Sequence, residues 1–156
     1  MGKSFKYEID DLDKKILTLI QEDAQLKLSE LSRKFNMTGQ GINLRIQKLI
    51  NLGIIRGSHY DIDPKMIGYH TCAYIGIFLE KGGHYVYVLK ELEKIQEIIQ
   101  CNFTTGNYSM FIKLYARDNE HLKIILENQL LKIKGISRTE TIISLEDNFN
   151  RFLPII

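Results

Sequence analysis

The sequence contains no long apolar run. No stretch of its 156 residues approaches the roughly 18 to 20 apolar residues that a membrane-spanning helix requires. The opening residues, MGKSFKYEIDDLDKK, lack the apolar core of a secretory signal peptide. The overall apolar content of 44% is nevertheless sufficient for packed cores in one or two domains. We therefore expect a globular protein of the cytoplasm.

Cysteine and clustered metal ligands are also scarce. The two cysteines, Cys72 and Cys101, lie far apart in apolar stretches, which suits small buried side chains better than a disulfide framework or a metal clip. The four histidines occur singly, at His59, His70, His84 and His121. No Ser/His/Asp grouping and no glycine-rich phosphate loop is visible. The sequence thus predicts no catalytic residue, no metal site and no cofactor.

Charge is nearly balanced over the whole chain, at a formal net value of +2, but it is unevenly distributed. Between Ala24 and Tyr60 one acidic residue accompanies six basic ones, which gives this segment a charge of +5. The basic residues are Lys27, Arg33, Lys34, Arg45, Lys48 and Arg56. Just before them stand the acidic residues Glu8, Asp10, Asp11 and Asp13, near a predicted helix start. The pattern indicates a basic surface for an anionic partner such as nucleic acid.

Apolar spacing predicts two helices in the first 36 residues. Residues 12–22 carry apolar side chains at intervals of three and four residues, and Asp11 is placed to cap the helix. The segment LSELSRKF predicts a second helix that begins at Leu28 or Ser29. It is expected to end near Asn36, a residue suited to a left-handed turn.

A third helix is predicted in MTGQGINLRIQKLINL, and two glycines stand in its first turn. Thr38 is expected to cap this helix and Gly53 to end it. Its apolar stripe is expected to consist of Ile42, Ile46 and Leu49. Glycine in a helix interior costs roughly 0.8 to 1 kcal/mol relative to alanine, so Gly39 and Gly41 indicate a place where the backbone is closely approached. Three helices with a tight turn before the third predict a helix-turn-helix.

The pattern changes after the third helix. IIRGSHYDIDP, with β-forming residues around Gly57, predicts a short wing or a strand leading into a linker, and Pro64 lies at the boundary. We therefore predict two domains, residues 1–63 and residues 64–156. From His70 the order is strand, helix, strand, strand, helix, strand, which predicts an α+β, ferredoxin-like domain. Its sheet would leave one apolar face that dimerisation covers.

Four segments resemble, in order, those of the Lrp/AsnC, or feast/famine, family of transcription regulators. DDLDKKILTLIQEDAQLKLSELSRKFNMT is similar to its entry helices, and RIQKLINLGIIRGSHYDIDPKMIGY to its recognition helix and linker. TTGNYSMFIKL and GISRTETIISL are similar to its effector domain, with IDPKMIGY and TETIISLE closest to the asparagine-responsive branch. The resemblance covers nearly the whole chain. It implies a winged helix-turn-helix followed by a ferredoxin-like (RAM- or ACT-like) domain that binds an amino acid.

The predicted DNA-binding residues follow from this helix-turn-helix. The start of a recognition helix faces the major groove, where bare glycine backbone allows close approach and amides donate to phosphate. Gln40, Asn43 and Gln47 share one face and suit adenine edges, which predicts A·T-containing half-sites. The full predicted set is Thr38, Gly39, Gln40, Gly41, Asn43, Arg45, Gln47, Lys48 and Arg56, with Arg45, Lys48 and Arg56 on phosphates. An ordinary polar helix surface is the alternative interpretation.

The predicted effector site centres on CNFTTGNYSMFIK. Gly106 is expected to take the positive φ of a tight hairpin, among short hydrogen-bonding side chains. The resemblance implies a pocket between dimers that the last strand completes. The predicted residues are Thr104, Thr105, Gly106, Asn107, Tyr108, Ser109, Thr139, Glu140 and Thr141. Many family members have Asp at the positions of Asn107 and Ser109, so their absence favours a neutral amino acid such as asparagine. An ordinary hairpin turn is the simpler interpretation.

The expected regulator is a homodimer that assembles into tetramers or octamers on double-stranded DNA, without a membrane partner. Several weak DNA-binding domains on one scaffold gain avidity at repeated half-sites. An amino acid between dimers would shift assembly by its differential affinity. One alternative is an enzyme, because sirohaem decarboxylases resemble this family, although the isolated histidines disfavour it. Another is an architectural DNA-binding protein that responds to no ligand.

Overall fold

The computed structural model describes residues 9–80 and 85–156, and these form two compact units. The first unit comprises residues 9–61 together with Asn150–Ile156, and the second comprises Ile62–Phe149. The prediction assigned everything after residue 63 to the second domain, whereas the final segment groups with the first unit. Its backbone has a partner there, since Gln21 Nε2 donates to the Leu153 carbonyl at 3.2 Å. Glu8 and His84, named above, lie outside the described residues.

Three helices build the first unit: α1 (Asp11–Glu22), α2 (Leu28–Phe35) and α3 (Gly39–Asn51). They pack through Ile16, Leu31 and Ile42, whose side chains are almost completely buried. Each helix contributes one of these side chains. Burial of a large apolar side chain stabilises such a unit by about 1.5 to 3 kcal/mol of transfer free energy. The predicted helix-turn-helix is confirmed.

The ends of these helices follow mostly from single residues. Asn36 has a φ of 51°, the left-handed conformation predicted for it, and it ends α2. Thr38 Oγ1 accepts a hydrogen bond from the Gly41 amide at 3.1 Å and caps α3 as predicted. The predicted cap of α1 is wrong by one residue. Asp10, not Asp11, caps it, because the Asp10 carboxylate accepts from the Asp13 amide at 2.7 Å.

The segment after α3 does not contain the predicted strand. Residues 54–63 contain no strand in the described part of the chain, and most of their side chains are exposed. A strand requires a hydrogen-bonded neighbour, and within residues 9–80 and 85–156 no segment pairs with these residues. A short 3-10 turn at Lys65–Ile67 follows and ends at Gly68, which has a φ of 92°.

The second unit is a four-stranded antiparallel sheet with two helices. Its elements are β1 (Thr71–Leu79), α4 (Tyr85–Leu92), β2 (Ile98–Phe103), β3 (Met110–Ala116), α5 (Asn119–Asn128) and β4 (Ile136–Ser144). The strand order is β2-β3-β1-β4, in which both helices connect strands that are not neighbours. This is the predicted split βαβ arrangement, so the α+β, ferredoxin-like fold is confirmed.

Alternating side chains give the sheet two different faces. Ile75 and Ile77 of β1 and Ile112 of β3 are fully buried in the core that includes Val88 of α4 and Ile125 of α5. The opposite face, which we call the open face, carries mainly aromatic and cationic side chains. They are Tyr74, Phe78, Tyr108, Phe111, Lys113, Tyr115 and Arg138. None of these seven side chains belongs to the core cluster.

Several features are absent from residues 9–80 and 85–156. Cys72 and Cys101 are free thiols, the first buried and the second partly buried. Burial raises the pKa of both thiols. The described residues contain no group of three or more His, Cys, Asp or Glu side chains arranged to hold a metal ion. No helix among them is both long and apolar enough to cross a membrane.

Candidate nucleic-acid interface and effector loop

One face of α3 is exposed, and we call it the reading face. It consists of Gln40, Asn43, Leu44 and Gln47, which recur at three- and four-residue intervals. Leu44 is 63% exposed although it is apolar, and sequence reasoning did not select it. The available signal was its place outside the buried stripe of Ile42 and Leu49. An amide-rich face with one apolar side chain matches the mixture of polar edges and methyl groups in a major groove.

The two glycines of α3 have different surroundings. A Cβ on Gly39 would lie 3.5 Å from Ser32 Oγ, an ordinary contact. A Cβ on Gly41 would lie 3.2 Å from Thr38 Oγ1 and 3.3 Å from Met37 Cε, which is tight. The Gly41 amide also donates to Thr38 already. Packing of the helix cap thus disfavours a side chain at Gly41 but not at Gly39, and close approach of DNA stays a prediction for both.

Arg45 pairs with two acidic side chains of its own chain. Its Nη1 atom contacts Asp10 Oδ2 at 2.6 Å and Asp13 Oδ1 at 2.7 Å, at the start of α1. These hydrogen bonds raise the pKa of the guanidinium. The pKa of Asp10 is lowered, first by the hydrogen bond from the Asp13 amide and then by that from Arg45. These ion pairs within the chain compete with the predicted phosphate contact of Arg45, which stays a prediction.

Five other basic residues of the first unit are exposed. Lys27, Arg33 and Lys34 accompany Lys48 and Arg56, and each has a solvent-accessible side chain. They leave the first unit with exposed cationic groups on α2, on α3 and just after α3. Cations of this kind bind phosphates without reading sequence. The predicted positions of Lys48 and Arg56 are compatible with that role.

The predicted effector loop, residues 104–109, connects β2 to β3 and borders a cavity of about 380 Å³. The described residues that line it are Leu79, Glu80, Tyr85, Phe103, Thr104, Thr105, Gly106, Tyr108 and Ser109. The Thr104 amide donates to the Ser109 carbonyl at 3.1 Å, and the Ser109 amide donates to the Ile77 carbonyl at 2.9 Å. Thr104 Oγ1 also donates to the Tyr108 carbonyl. The loop is thus fixed to β1 and closed on itself.

Gly106 does not have the predicted positive φ. In the described residues the glycines with positive φ are Gly53, Gly57, Gly68 and Gly135. The prediction assumed a tight hairpin, whose turn requires left-handed residues. The connection instead runs over six positions, 104–109, between the strand ends. A longer loop reverses direction without a left-handed residue at Gly106.

The predicted effector residues of β4 do not join this cavity within one chain. Thr139 and Thr141 pair with Ile77 and Ile75, whose side chains point into the core, while Glu140 pairs with Gly76 on the open face. None of these three residues lines the cavity, and Asn107 does not line it either. The family resemblance implied that the last strand completes the pocket between dimers, and it did not assign alternate residues of β4 to opposite faces.

Tyr108 connects the loop to the open face. Its hydroxyl donates to Glu140 Oε2 at 2.9 Å, and this hydrogen bond raises the pKa of the phenol. Glu140 also contacts Arg138 at 3.3 Å, and the Arg138 guanidinium lies 3.8 Å from the centre of the Phe78 ring. Gly76, in the middle of β1, leaves the space that the Tyr108 ring occupies. An isolated glycine in a strand is a usable sequence signal for such a close approach.

Comparisons with known proteins agree with both units. Residues 72–151 match the family model for the Lrp/AsnC ligand binding domain, and residues 9–56 match that for a winged helix-turn-helix DNA-binding domain. Regulatory protein AsnC of Haemophilus influenzae is 36% identical over 141 residues, 90% of this chain and 94% of that protein. Regulatory protein AsnC of Escherichia coli K12 is 36% identical over 145 residues, 93% and 95% of the two chains.

Solved structures show the same similarity. The structure of E. coli AsnC has a TM-score of 0.90 at 35% identity, over 95% of this chain and 99% of that one. A Neisseria meningitidis transcriptional regulator, solved with L-methionine, has a TM-score of 0.86 over 92% and 94% of the chains. At 21% identity that likeness shows the fold alone. The named relatives are regulatory proteins, not enzymes, so the comparisons favour the predicted regulator over the decarboxylase alternative.

Proposed function

The chain belongs to the Lrp/AsnC family of transcription regulators, and we propose that it reads operator DNA with the reading face of α3. The observation that carries this proposal is the exposed grouping of Gln40, Asn43, Leu44 and Gln47 on the third helix of a helix-turn-helix. The amide side chains bond adenine edges, while Leu44 contacts the methyl group of thymine. Lys48 and Arg56 bind phosphates and fix the register of the protein on the duplex.

Direct readout by Gln47 is tested with the duplex upstream of the protein's own gene and a set of single base-pair variants. Gln47→Ala is expected to lose roughly 1 to 3 kcal/mol of binding at one base position and little elsewhere. Lys48→Ala is the matched control on the same helix, and it is expected to weaken binding to all the duplexes alike. A uniform loss with Gln47→Ala would reject its role in reading sequence.

The open face of the sheet supports a homodimer. It presents stacked aromatic rings, with centroids of Tyr74 and Phe111 at 5.9 Å, and the apolar side chain of Ile142 is 51% exposed beside them. Apolar surface of this kind is removed from water when a second copy covers it. Assembly of such dimers into tetramers or octamers would present several DNA-binding units together.

Dimerisation is tested by light scattering after size exclusion. Ile142→Glu places a charge on the open face and is expected to shift the protein to monomers. Ile124→Glu is the matched control, because Ile124 is similarly exposed, at 44%, but lies on α5, which packs on the other side of the sheet. If Ile142→Glu and Ile124→Glu have the same mass in solution, the open face is not the dimer interface.

The cavity beside the effector loop supports a neutral amino acid as the ligand, with asparagine favoured. Its volume of about 380 Å³ accommodates a small molecule of this size. Glu80 is the charged member among the described lining residues, and its carboxylate suits the ammonium group of an amino acid. The amide and hydroxyl of Thr105 suit the ligand carboxylate. The same Glu80 disfavours an acidic side chain by repulsion.

We further propose that β4 of another dimer completes the pocket, and that ligand binding there shifts assembly or DNA binding. Isothermal calorimetry with asparagine, methionine, aspartate and lysine tests both statements. Thr105→Val and Thr139→Val are expected to weaken asparagine binding, whereas Thr18→Val, on α1, leaves it unchanged. An effect of Thr105→Val without one of Thr139→Val would place the site within one chain. Absence of binding heat with every amino acid would reject the sensor and leave a DNA-binding protein that responds to no ligand.

A further inference from the structure

We propose that Arg45 is a positioning residue of the recognition helix, clamped to the first helix by Asp10 and Asp13. This inference rests on the proposed DNA-binding function of α3 and adds a residue that orients the reading face without touching DNA. Arg45 immediately follows Leu44 in sequence, but its side chain contacts α1. The reading face and the clamp therefore belong to adjacent positions of one helix.

The clamp joins the two helices through a single nitrogen atom. Arg45 Nη1 lies 2.6 Å from Asp10 Oδ2 and 2.7 Å from Asp13 Oδ1, distances typical of charge-assisted hydrogen bonds. Asp13 is buried, with 4% of its side chain exposed, while Arg45 is 31% exposed. A carboxylate that is removed from water requires a partner, and Arg45 supplies it. The pair is accordingly a fixed contact and differs from a solvated surface ion pair.

The acidic partners are themselves held in place by the start of α1. Asp10 Oδ1 accepts from the Asp13 amide at 2.7 Å, and Asp13 Oδ2 accepts from the Asp10 amide at 3.4 Å. This reciprocal capping box uses one oxygen of each carboxylate and leaves the other for Arg45. Both ends of the clamp thus belong to regular helices, so it fixes the rotation of α3 against α1.

Rotation of α3 matters because the reading side chains radiate from it. In a helix, side chains that share a face move together when the helix turns about its axis. Small displacements break the paired hydrogen bonds by which Asn and Gln recognise a base, whereas contacts of flexible lysines with phosphate tolerate them. Loss of the clamp should therefore reduce sequence discrimination more than it reduces general attraction to DNA.

Whether Asp10→Asn strengthens or weakens DNA binding separates positioning of α3 from simple electrostatics. Asp10→Asn removes a negative charge near a DNA-binding helix, so charge alone predicts tighter binding. The clamp predicts weaker binding, because Arg45 loses one of its two partners. Asn is itself a good helix cap, and Asp10 is half exposed, so this variant keeps the fold even if the buried Asp13→Asn does not.

The test measures affinity for the duplex upstream of the gene and for a scrambled duplex across a range of salt concentrations. Variants are Arg45→Gln, Arg45→Lys, Asp10→Asn and, as the matched control, Arg56→Gln. A phosphate contact contributes about 0.9 to the slope of log affinity against log salt concentration. Arg56→Gln is expected to reduce the magnitude of this negative slope by about that amount and to weaken binding to both duplexes equally. Thermal unfolding followed by circular dichroism establishes that each variant is folded at the assay temperature.

Arg45→Gln is expected to leave the slope unchanged and to reduce the ratio of specific to scrambled affinity about tenfold or more. Arg45→Lys should restore part of this ratio, since it keeps the charge but has only a single ammonium group. Asp10→Asn should weaken specific binding. A slope of smaller magnitude for Arg45→Gln, or tighter binding by Asp10→Asn, would overturn the clamp and indicate that Arg45 contacts phosphate. Failure of the wild-type chain to prefer the specific duplex would instead overturn the proposed function of α3.

Discussion

The ring of Tyr108 lies directly over Gly76, on the open face of the sheet. A Cβ placed on Gly76 would come within 2.3 Å of Tyr108 Cδ1, a distance that real Cβ contacts do not show. Gly76 is opposite Phe111 on one side and Glu140 on the other, so the ring covers a gap between larger side chains. The effector loop therefore reaches the centre of the sheet only because β1 has no side chain at this position.

Gly76→Ala is expected to destabilise the second unit. The added methyl group must displace the Tyr108 ring, and overpacking of this kind costs about 1 to 3 kcal/mol. Chemical unfolding, followed by tyrosine fluorescence, measures the loss. Gly76→Ala combined with Tyr108→Ala is the control, because removal of the ring leaves room for the methyl group. A double variant in which Gly76→Ala costs as much as in the wild-type background would contradict the proposed contact.

Alanine substitutions of two apolar residues of α3 are expected to differ strongly in their effect on stability. Ile42 is fully buried, so Ile42→Ala should cost about 2 to 5 kcal/mol of unfolding free energy. Leu44→Ala should change stability by less than about 0.5 kcal/mol, because its side chain is mostly exposed. Guanidinium unfolding of both variants checks this difference. A large loss with Leu44→Ala would show that Leu44 belongs to the core and not to the reading face.

Leu44 is also expected to recognise thymine through its methyl group. Uracil has the same hydrogen-bonding edge but lacks that methyl group, so replacing thymine by uracil within a half-site should weaken the wild-type protein. The same replacement should not affect Leu44→Ala, which has already lost the contact. Fluorescence anisotropy with the two duplexes measures both proteins. Equal sensitivity of wild type and Leu44→Ala to uracil would exclude the contact.

The Thr38 cap is expected to contribute measurably to the first unit. Thr38→Ala removes the acceptor of the Gly41 amide and should cost about 1 kcal/mol. Thr18→Ala is the matched control, because Thr18 lies within α1 and its hydroxyl donates only to the Lys14 carbonyl. Alanine is the better helix former there, so stability should stay level or rise slightly. Urea unfolding of the two variants tests the assignment, and similar losses would contradict it.

Acid should weaken the contact between α1 and α3. The pKa of Asp10 is lower in the folded chain than its ordinary value, because the Asp13 amide and Arg45 both stabilise its charged form. The stability that this carboxylate contributes is thus present above its ordinary pKa and is lost as the pH falls through the lowered value. Unfolding measured between about pH 5 and pH 2 should show a steeper loss in the wild type than in Asp10→Asn. Parallel curves would show that Asp10 titrates without a folded-state partner.

Much of the fold could be predicted from the sequence because local chemistry decides it. Asn36 tolerates a left-handed backbone and Thr38 has a side-chain acceptor, so the turn between α2 and α3 is encoded in adjacent residues. The alternation of buried and partly buried residues in β3 is likewise visible in Met110–Ala116. These features depend on neighbours within a few positions, which a sequence displays directly.

The missed features depend on how distant segments meet. Arg45 has the same charge whether it faces phosphate or Asp13, and only the crossing of α3 over α1 decides between them. Glu140 lies beside Tyr108 because of the register of β4 against β1, and a shift of one residue would have exchanged it with Thr139 or Thr141. The strand expected near Gly57 has no pairing segment among the residues that the structure describes, although its own residues have the propensity for a strand.

The return of Asn150–Ile156 to the first unit changes how the protein can be divided in experiments. The polypeptide passes from the first unit to the second after residue 61 and back again after Phe149, so neither cut alone releases an intact DNA-binding fragment. A fragment of residues 9–61 would leave the Gln21 amide without its Leu153 acceptor. A fluorophore or affinity tag joined to Ile156 would report on the first unit, which binds DNA. One placed in the loop around residue 107 would report on the second unit.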